Sequence, residues 1–141
     1  GMARDVMVVD DYAHHPTEVR ATLLAAKSWG RRIVAVFQPH LFSRTQLMAE
    51  GFADSLNLAD VVYLADIYPA REEPIPGVTS ALIVDRINVG GVTKAHLAKK
   101  DILSDELMKI LEPGDILIVM GAGDIRSVAE TVLARLESQQ Q

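Results

Sequence analysis

The chain has no cysteine, no long apolar run and no excess of positive charge, and each absence excludes a class of protein. Without cysteine among its 141 residues, it can form neither a disulfide framework nor a thiolate metal site. Apolar residues make up 49% of it, but they never form the roughly 18-residue run of a membrane-spanning helix. The net charge of −5 argues against nucleic-acid binding through phosphate contacts. We therefore expect neither a membrane nor a nucleic acid as a partner.

The length is that of one ordinary domain, and we expect residues 1–141 to fold as a single unit. The chain opens with Gly1-Met2, and a glycine before a methionine is typical of the residue left by a cleaved tag. A strand pattern begins almost at once. These features predict a domain cut at its boundary from a longer protein. The alternative is a natural small protein with one extra residue.

Strand and helix patterns alternate along the chain without an internal repeat. Continuous apolar runs predict buried strands at Val6–Val9, Ile33–Phe37, Val61–Ala65 and Ile116–Met120, with a weaker one at Val92–Leu97. Amphipathic patterns predict helices at Pro16–Trp29, near Ser80–Asn88, and after Ser43, Ser104 and Asp124. Such alternation predicts an α/β fold, a Rossmann-like and mostly parallel sheet with helices on both faces.

Two serines are predicted to cap helices. Ser104 is one; the other is Ser43, which with Gln46 fits a capping box and places Arg44 at the first helical position. An arginine beside free helix N–H groups suits a carboxylate or a phosphate, and His40, four residues earlier, could converge on the same anion. The alternatives are a solvated surface arginine and a histidine that bonds only the turn backbone.

Polar side chains follow the main predicted strands at their carboxyl ends, and in a parallel sheet those ends share one edge. Open α/β sheets carry polar loops at that edge whatever their function, so a single polar residue there is weak evidence for a ligand site. Three strand ends with histidine, arginine and aspartate together indicate a ligand site. The residues are Asp11, Tyr12 and His14 after the first strand, Gln38, His40 and Arg44 after the second, Asp66, Tyr68 and Arg71 after the third, and Gly121, Gly123 and Asp124 after the last.

Signals for phosphate and metal binding are weak. Gly121 and Gly123 favour a tight turn over a dinucleotide fingerprint, because Arg126 stands at the position of the third glycine. The chain has no phosphate loop of the form G-x-x-x-x-G-K-[ST], so it cannot hold a triphosphate in that way. His14 and His15 are adjacent and their side chains diverge, so we expect no metal site.

Five stretches, in order over nearly the whole chain, resemble the C-terminal domain of the Mur ligase family, and within it the UDP-N-acetylmuramate–L-alanine ligases. The composite is specific, whereas its Gly-Ala-Gly part alone is not. The stretches are Asp10–Glu18, with the sequence Asp-Asp-Tyr-Ala-His-His-Pro-Thr-Glu, then Phe37–His40, Phe42–Thr45, Asp66–Glu73 and Met120–Ile125.

The resemblance implies an ATP-dependent ligase of the bacterial cytoplasm that joins L-alanine to UDP-N-acetylmuramate in peptidoglycan biosynthesis. In that family the first domain binds the UDP-sugar, the central one holds the ATP phosphate loop and Mg²⁺, and the third closes over the site. Only the third is resembled here. The implied partners are therefore the N-terminal and central domains, with UDP-N-acetylmuramate, L-alanine and ATP as small molecules. The domain alone is expected to bind no cofactor and to be inactive.

The resemblance also implies roles for residues, none of them catalytic in this domain alone. Asp11 matches the acid that contacts the nucleotide. Leu41 stands where some relatives carry arginine, so the alanine carboxylate is expected to depend more on Arg44, and Leu41 is placed outside the site. The positions that match the surroundings of the incoming alanine are Tyr12, His14, His40 and Arg44.

Two other functions fit part of the pattern. The recycling ligase, which joins a tripeptide to the same sugar, shares the Asp-Asp-aromatic-Ala-His-His-Pro opening but lacks the stretch at Phe37–His40. A phosphoacceptor receiver domain would use the acids Asp10, Asp11 and Asp66. Its later lysine should precede a proline, whereas Lys94 does not.

Overall fold

The computed structural model describes residues 1–140, in which strands and helices alternate after a short first hairpin. Every predicted strand and helix is present, and a two-residue strand that the sequence did not predict precedes them. The strands are β1 (Met2–Ala3), β2 (Val6–Asp11), β3 (Ile33–Phe37), β4 (Val61–Leu64), β5 (Lys94–Leu97) and β6 (Ile116–Met120); the helices are α1 (Pro16–Lys27), α2 (Phe42–Leu56), α3 (Ala81–Gly90), α4 (Lys100–Ile110) and α5 (Arg126–Gln139).

The last strand of the chain, β6, lies in the middle of the sheet. The strand order is β1-β2-β6-β3-β4-β5, and every neighbouring pair is parallel except β1 with β2. Met120, at the end of β6, pairs with Asp11 on one side and with Phe37 on the other. This topology confirms the predicted α/β fold. It also gathers the carboxyl ends of β2, β6 and β3 at one edge, which we call the carboxyl edge.

Helices cover both faces of the sheet over two apolar cores. On one face α1, α2 and α3 contribute Leu23, Phe52 and Ile83; on the other, α4 and α5 contribute Leu107 and Val132. The side chains of β3 alternate between the two cores because successive strand residues point to opposite faces. Apolar burial of this kind stabilises by roughly 25 cal/mol per Å². The two cores therefore fix the positions of the strands, and the strand ends fix where the loops begin. No helix within residues 1–140 combines the length and the apolar character needed to cross a membrane.

Helix α2 begins at Phe42, two residues earlier than the capping box predicts. Leu41 precedes it with a φ of 73°, which is uncommon for a residue other than glycine. Ser43 lies inside the first turn, and its N–H and hydroxyl both donate to the Glu72 carboxylate. The capping-box prediction is therefore wrong, and Arg44 is the third helical residue rather than the first.

Helix α4 also begins earlier than predicted. Only Ala98 and Lys99 separate β5 from the helix, and the N–H of Ala98 still donates to the Leu64 carbonyl. Ser104 therefore lies within the helix and does not cap it. The buried residues of α4 are Leu103 and Leu107, and Ile110 and Leu111 pack against the same core while partly exposed.

Candidate functional site at the carboxyl edge

Four aromatic rings from three loops form a row at the carboxyl edge. Tyr12 and His14 follow β2, with ring centroids 5.4 Å apart, and His14 lies 6.2 Å from His40, which follows β3. Tyr68, in the loop after β4, stacks on His40 at 5.6 Å with 22° between the ring planes. We call these four residues the ring row. The structure thus brings together three predicted site residues, and it adds Tyr68, which the sequence placed at a strand end without a role.

The row runs from solvent into the domain. Tyr12 is 64% exposed, whereas His14, His40 and Tyr68 are partly buried. His14 is held locally, because its Nδ1 lies 2.9 Å from the Tyr12 carbonyl oxygen. Burial lowers the pKa of His40, and the charges of Arg44 and His14 lower it further against the opposing effect of Glu72. His40 is therefore neutral at physiological pH.

Arg44 and His40 each hold a buried nitrogen with no hydrogen-bond partner. Within residues 1–140, this is true of Nη1 of Arg44 and of Nδ1 of His40. A buried polar group left unpaired costs about 1–3 kcal/mol, so each of these nitrogens calls for a partner, which a ligand can supply. A guanidinium beside a neutral imidazole suits a carboxylate, which accepts two hydrogen bonds in a plane.

The backbone that carries His40 and Arg44 is strained. Leu41 has φ 73° and ψ 136°, a combination close to one that is essentially reserved for glycine and of a kind that costs on the order of 1–3 kcal/mol. The loop after β4 holds it in place. The Leu41 N–H donates to the Tyr68 carbonyl at 2.9 Å, and the Tyr68 N–H donates to the Pro39 carbonyl at 2.8 Å. Strain of this type persists where the surroundings fix it and is common at functional sites.

The turn after β6 packs against the same loop. A Cβ atom on Gly123 would lie 2.6 Å from Oε1 of Gln38 and 2.7 Å from the Tyr68 ring, so only glycine fits there. This packing agrees with the tight-turn interpretation of Gly121 and Gly123. Nε2 of Gln38 donates to Asp124 at 2.9 Å, and the Lys100 ammonium donates to the other oxygen of Asp124 at 2.7 Å. These bonds, from Lys100 first and then Gln38, lower the pKa of Asp124.

Asp11 lies on the other side of β6 and is engaged within the chain. One carboxylate oxygen accepts from the Ala13 N–H at 2.9 Å, and the other accepts from the Thr22 hydroxyl at 3.1 Å. The side chain therefore fixes the turn into α1. It also lines a cavity of about 250 Å³ together with Tyr12, Gly121, Gly123 and Arg126.

The remaining predicted strand-end residues, Asp66 and Arg71, are exposed. Asp11 and Asp66 follow strands that are separated by β6 and β3, which is roughly 14 Å at the usual strand spacing. The acids of a receiver domain would have to meet, so that hypothesis is wrong. Within residues 1–140 there is no group of three His, Cys, Asp or Glu side chains suited to a metal ion.

Sequence reasoning missed Glu72, which bonds the start of α2 from the proline-containing loop. No spacing signal could have found it, because its partner Ser43 lies 29 positions away.

Residues 1–123 match the family described as Mur ligase, glutamate ligase domain. The chain is 48% identical over 139 residues to the UDP-N-acetylmuramate–L-alanine ligase of Geotalea uraniireducens, a match that takes in 97% of this chain and 30% of that protein. This chain therefore spans about 30% of the length of that curated relative.

Two solved structures resemble the fold. The UDP-N-acetylmuramate–alanine ligase of Thermotoga maritima matches 95% of this chain and 27% of its own, with a TM-score of 0.72 and 30% identity. The murein peptide ligase of Psychrobacter arcticus matches 97% of this chain and 28% of its own, with a TM-score of 0.76 and 25% identity.

Proposed function

The chain belongs to the Mur ligase family, and from that premise we propose that it is the C-terminal domain of a bacterial cytoplasmic ligase that joins L-alanine to UDP-N-acetylmuramate with ATP. The family consists of ATP-dependent ligases. The 48% identity to the alanine ligase of Geotalea uraniireducens supports alanine as the amino acid. The N-terminal and central domains of the proposed ligase would supply the UDP-sugar site, the ATP phosphate site and Mg²⁺.

The observation that carries the proposal is the pair of unpartnered buried nitrogens on His40 and Arg44. The carboxylate of alanine would give both nitrogens an acceptor, and the guanidinium would balance its charge. A neutral His40 adds a hydrogen bond without a second buried cation. Tyr12 and His14 would form the outer wall beside this pair, since His14 lies 6.2 Å from His40 and Tyr12 lies 5.4 Å from His14.

We assign the nucleotide contact to Asp11. Its carboxylate lines the cavity beside the turn after β6, and a carboxylate oxygen can accept a second hydrogen bond from a ribose hydroxyl while it holds Thr22. ATP, bound elsewhere in the ligase, would activate the muramate carboxylate. Asp11 would reach the nucleotide only when this domain closes over the central one, a common gating device.

The tripeptide-adding ligase is the competing function, because the murein peptide ligase of Psychrobacter arcticus shares the fold. Its 25% identity is well below the 48% of the alanine ligase, and the stretch Phe37–His40 also favours alanine.

The test is phosphate release by the full-length ligase with ATP, Mg²⁺ and UDP-N-acetylmuramate, with either L-alanine or the tripeptide as the amine. We expect turnover with alanine and little with the tripeptide. The present chain, assayed alone, should release no phosphate, because it lacks a phosphate loop. Preference for the tripeptide, or activity of the chain alone, would overturn the proposal.

A further inference from the structure

Glu72 reaches across from the loop after β4 to the start of α2. Its Oε1 accepts from the Ser43 backbone N–H at 3.0 Å, and its Oε2 accepts from the Ser43 hydroxyl. The side chain of Leu41, at the N-cap position, offers α2 no hydrogen bond. Glu72, from a distant segment, therefore supplies the hydrogen-bond acceptor that an N-cap residue usually supplies. Its negative charge also interacts favourably with the positive end of the helix dipole.

The backbone on both sides of this contact is held in unusual conformations. Leu41, two residues before Ser43, has φ 73°, and Ala70, two residues before Glu72, has φ 53°. The Glu72 N–H donates to the Pro69 carbonyl at 2.9 Å, which closes a tight turn around Ala70. A chain adopts two such conformations only where other contacts determine them. The Glu72–Ser43 contact joins the two segments by side-chain hydrogen bonds, beside the stacked rings of His40 and Tyr68.

The contact is close to Arg44 but does not involve its guanidinium. No ion pair joins Glu72 to Arg44 among the described residues, and both Glu72 oxygens are directed to Ser43. The hydrogen bonds from the Ser43 hydroxyl and N–H lower the pKa of Glu72, so it stays charged. The charge thus steadies the first turn of α2 and leaves Nη1 of Arg44 free for a ligand.

We infer that Glu72 is a positioning residue for the amino-acid site: through Ser43 it fixes the strained turn that aims His40 and Arg44 at the substrate carboxylate. This inference rests on the proposed function. Glu72 touches no substrate in this role, so its loss should weaken the binding of alanine without altering the reacting groups.

The kinetic test uses the full-length ligase with Glu72→Ala, Glu72→Gln and the matched control Glu73→Ala, which removes the same charge from an exposed neighbour. Because charge-assisted hydrogen bonds are lost, Glu72→Ala should raise the KM for alanine about 10-fold. The kcat and the KM for ATP should stay within about twofold. Glu72→Gln, which keeps an acceptor, should recover part of the loss, and Glu73→Ala should behave as wild type.

A double-mutant cycle with Ser43→Ala isolates the contact. If Glu72 acts through Ser43, adding Ser43→Ala to Glu72→Ala should raise the KM no further. Independent effects of the two substitutions, or equal effects of Glu72→Ala and Glu73→Ala, would refute the inference.

An amide NMR titration of the present chain tests the contact without any substrate. The Ser43 amide should titrate with a midpoint below the ordinary glutamate pKa, and Glu72→Gln should abolish that titration. A wild-type ligase with no turnover on alanine would contradict the proposed function. A Ser43 amide whose titration is the same in Glu72→Gln as in the wild type would contradict this inference alone.

Discussion

The amino ends of the parallel strands lie opposite the carboxyl edge, and we call them the amino edge. The two edges carry similar kinds of polar side chain but differ in how those side chains are paired. At the amino edge the buried Asp115 accepts from Arg32 at 2.9 Å and from the Glu112 N–H at 2.8 Å, and Asp60 accepts from the Ile33 N–H at 2.8 Å. Arg31 likewise donates to Asp5. Each of these charges has its partner inside the domain.

The carboxyl edge leaves polar atoms unpaired. The buried side-chain polar atoms without a partner in residues 1–140 are Oε1 of Gln38, Nδ1 of His40 and Nη1 of Arg44. The backbone there is strained at Leu41. Paired charges stabilise the fold, whereas unpaired ones lower its stability and serve a ligand. Under the proposed function, the unpaired atoms at the carboxyl edge are the ones that await a ligand, whereas the paired charges at the amino edge hold the fold.

Arg44→Ala should give the largest effect and separate the edges most clearly. In the full-length ligase we expect alanine binding to weaken by about 2–4 kcal/mol, because a desolvated carboxylate loses its charged partner. The stability of the chain in urea should change little, since Nη1 of Arg44 is unpaired in the domain. Arg71→Ala, at an exposed position nearby, is the control. An unchanged apparent affinity for alanine would remove Arg44 from the site.

Asp115→Ala, at the amino edge, should lower the stability of the fold and leave alanine binding unchanged. Asp115 is 3% exposed, and its loss removes the acceptor of the Glu112 N–H and the nearest acceptor of Arg32. We expect the free energy of unfolding in urea to fall by about 2–3 kcal/mol, with the KM for alanine unchanged. If alanine binding suffered as much as stability, the two edges would not be independent.

Asp11 is hydrogen-bonded within the domain and is also the proposed nucleotide contact. Its substitution therefore tests whether structural and ligand-binding roles can be separated. Asp11→Ala should lower the stability of the chain by about 1 kcal/mol, as for a lost cap, and in the full-length ligase it should strongly reduce turnover. Thr22→Val removes one of the same hydrogen bonds but keeps the carboxylate. It should reproduce part of the stability loss with near-normal turnover. Near-normal turnover in Asp11→Ala would make Asp11 purely structural.

The smallest effect concerns Asp124, whose pKa lies below the ordinary value of 3.8. A carboxyl group with a lower pKa in the folded chain stabilises the fold above its unfolded pKa, and this contribution disappears as the pH falls through the folded pKa. The Asp124 side chain is 54% exposed, so the contribution is under about 1 kcal/mol. Because Lys100→Met removes the main cause of the lowered pKa, it should reduce the loss of stability as the pH falls below about 3.8. Lys99→Met should not, and equal behaviour of the two variants would contradict the assignment.

The fold was predictable because each long strand is a continuous apolar run, which is the pattern of a sheet covered on both faces. β1 was missed because two residues carry no periodicity. The serine caps were wrong for a different reason. Ser43 satisfies local rules, but Glu72 and the bridge from His40 to Tyr68 determine where α2 begins, and both are tertiary contacts that no local pattern records.

The site was predictable in part. Tyr12, His14 and His40 were placed at strand ends along one edge of the sheet, and the topology brings their rings together. Tyr68 and Glu72 join them only because the loop after β4 folds back over the turn after β3. The prolines of that segment predict a loop, but no local pattern predicts which part of the domain the loop packs against.

The central position of β6 has a consequence for the way the domain is made. A chain leaves the ribosome from its N-terminus, and β2 and β3 emerge well before the strand that lies between them. Until residues 116–120 follow, each presents an unpaired apolar edge, the kind of surface on which chains aggregate. A nascent chain that stalls at Asp115 would hold two separate half-sheets. Assembly of the sheet, and of its carboxyl edge, is therefore one late event that depends on nearly the whole domain.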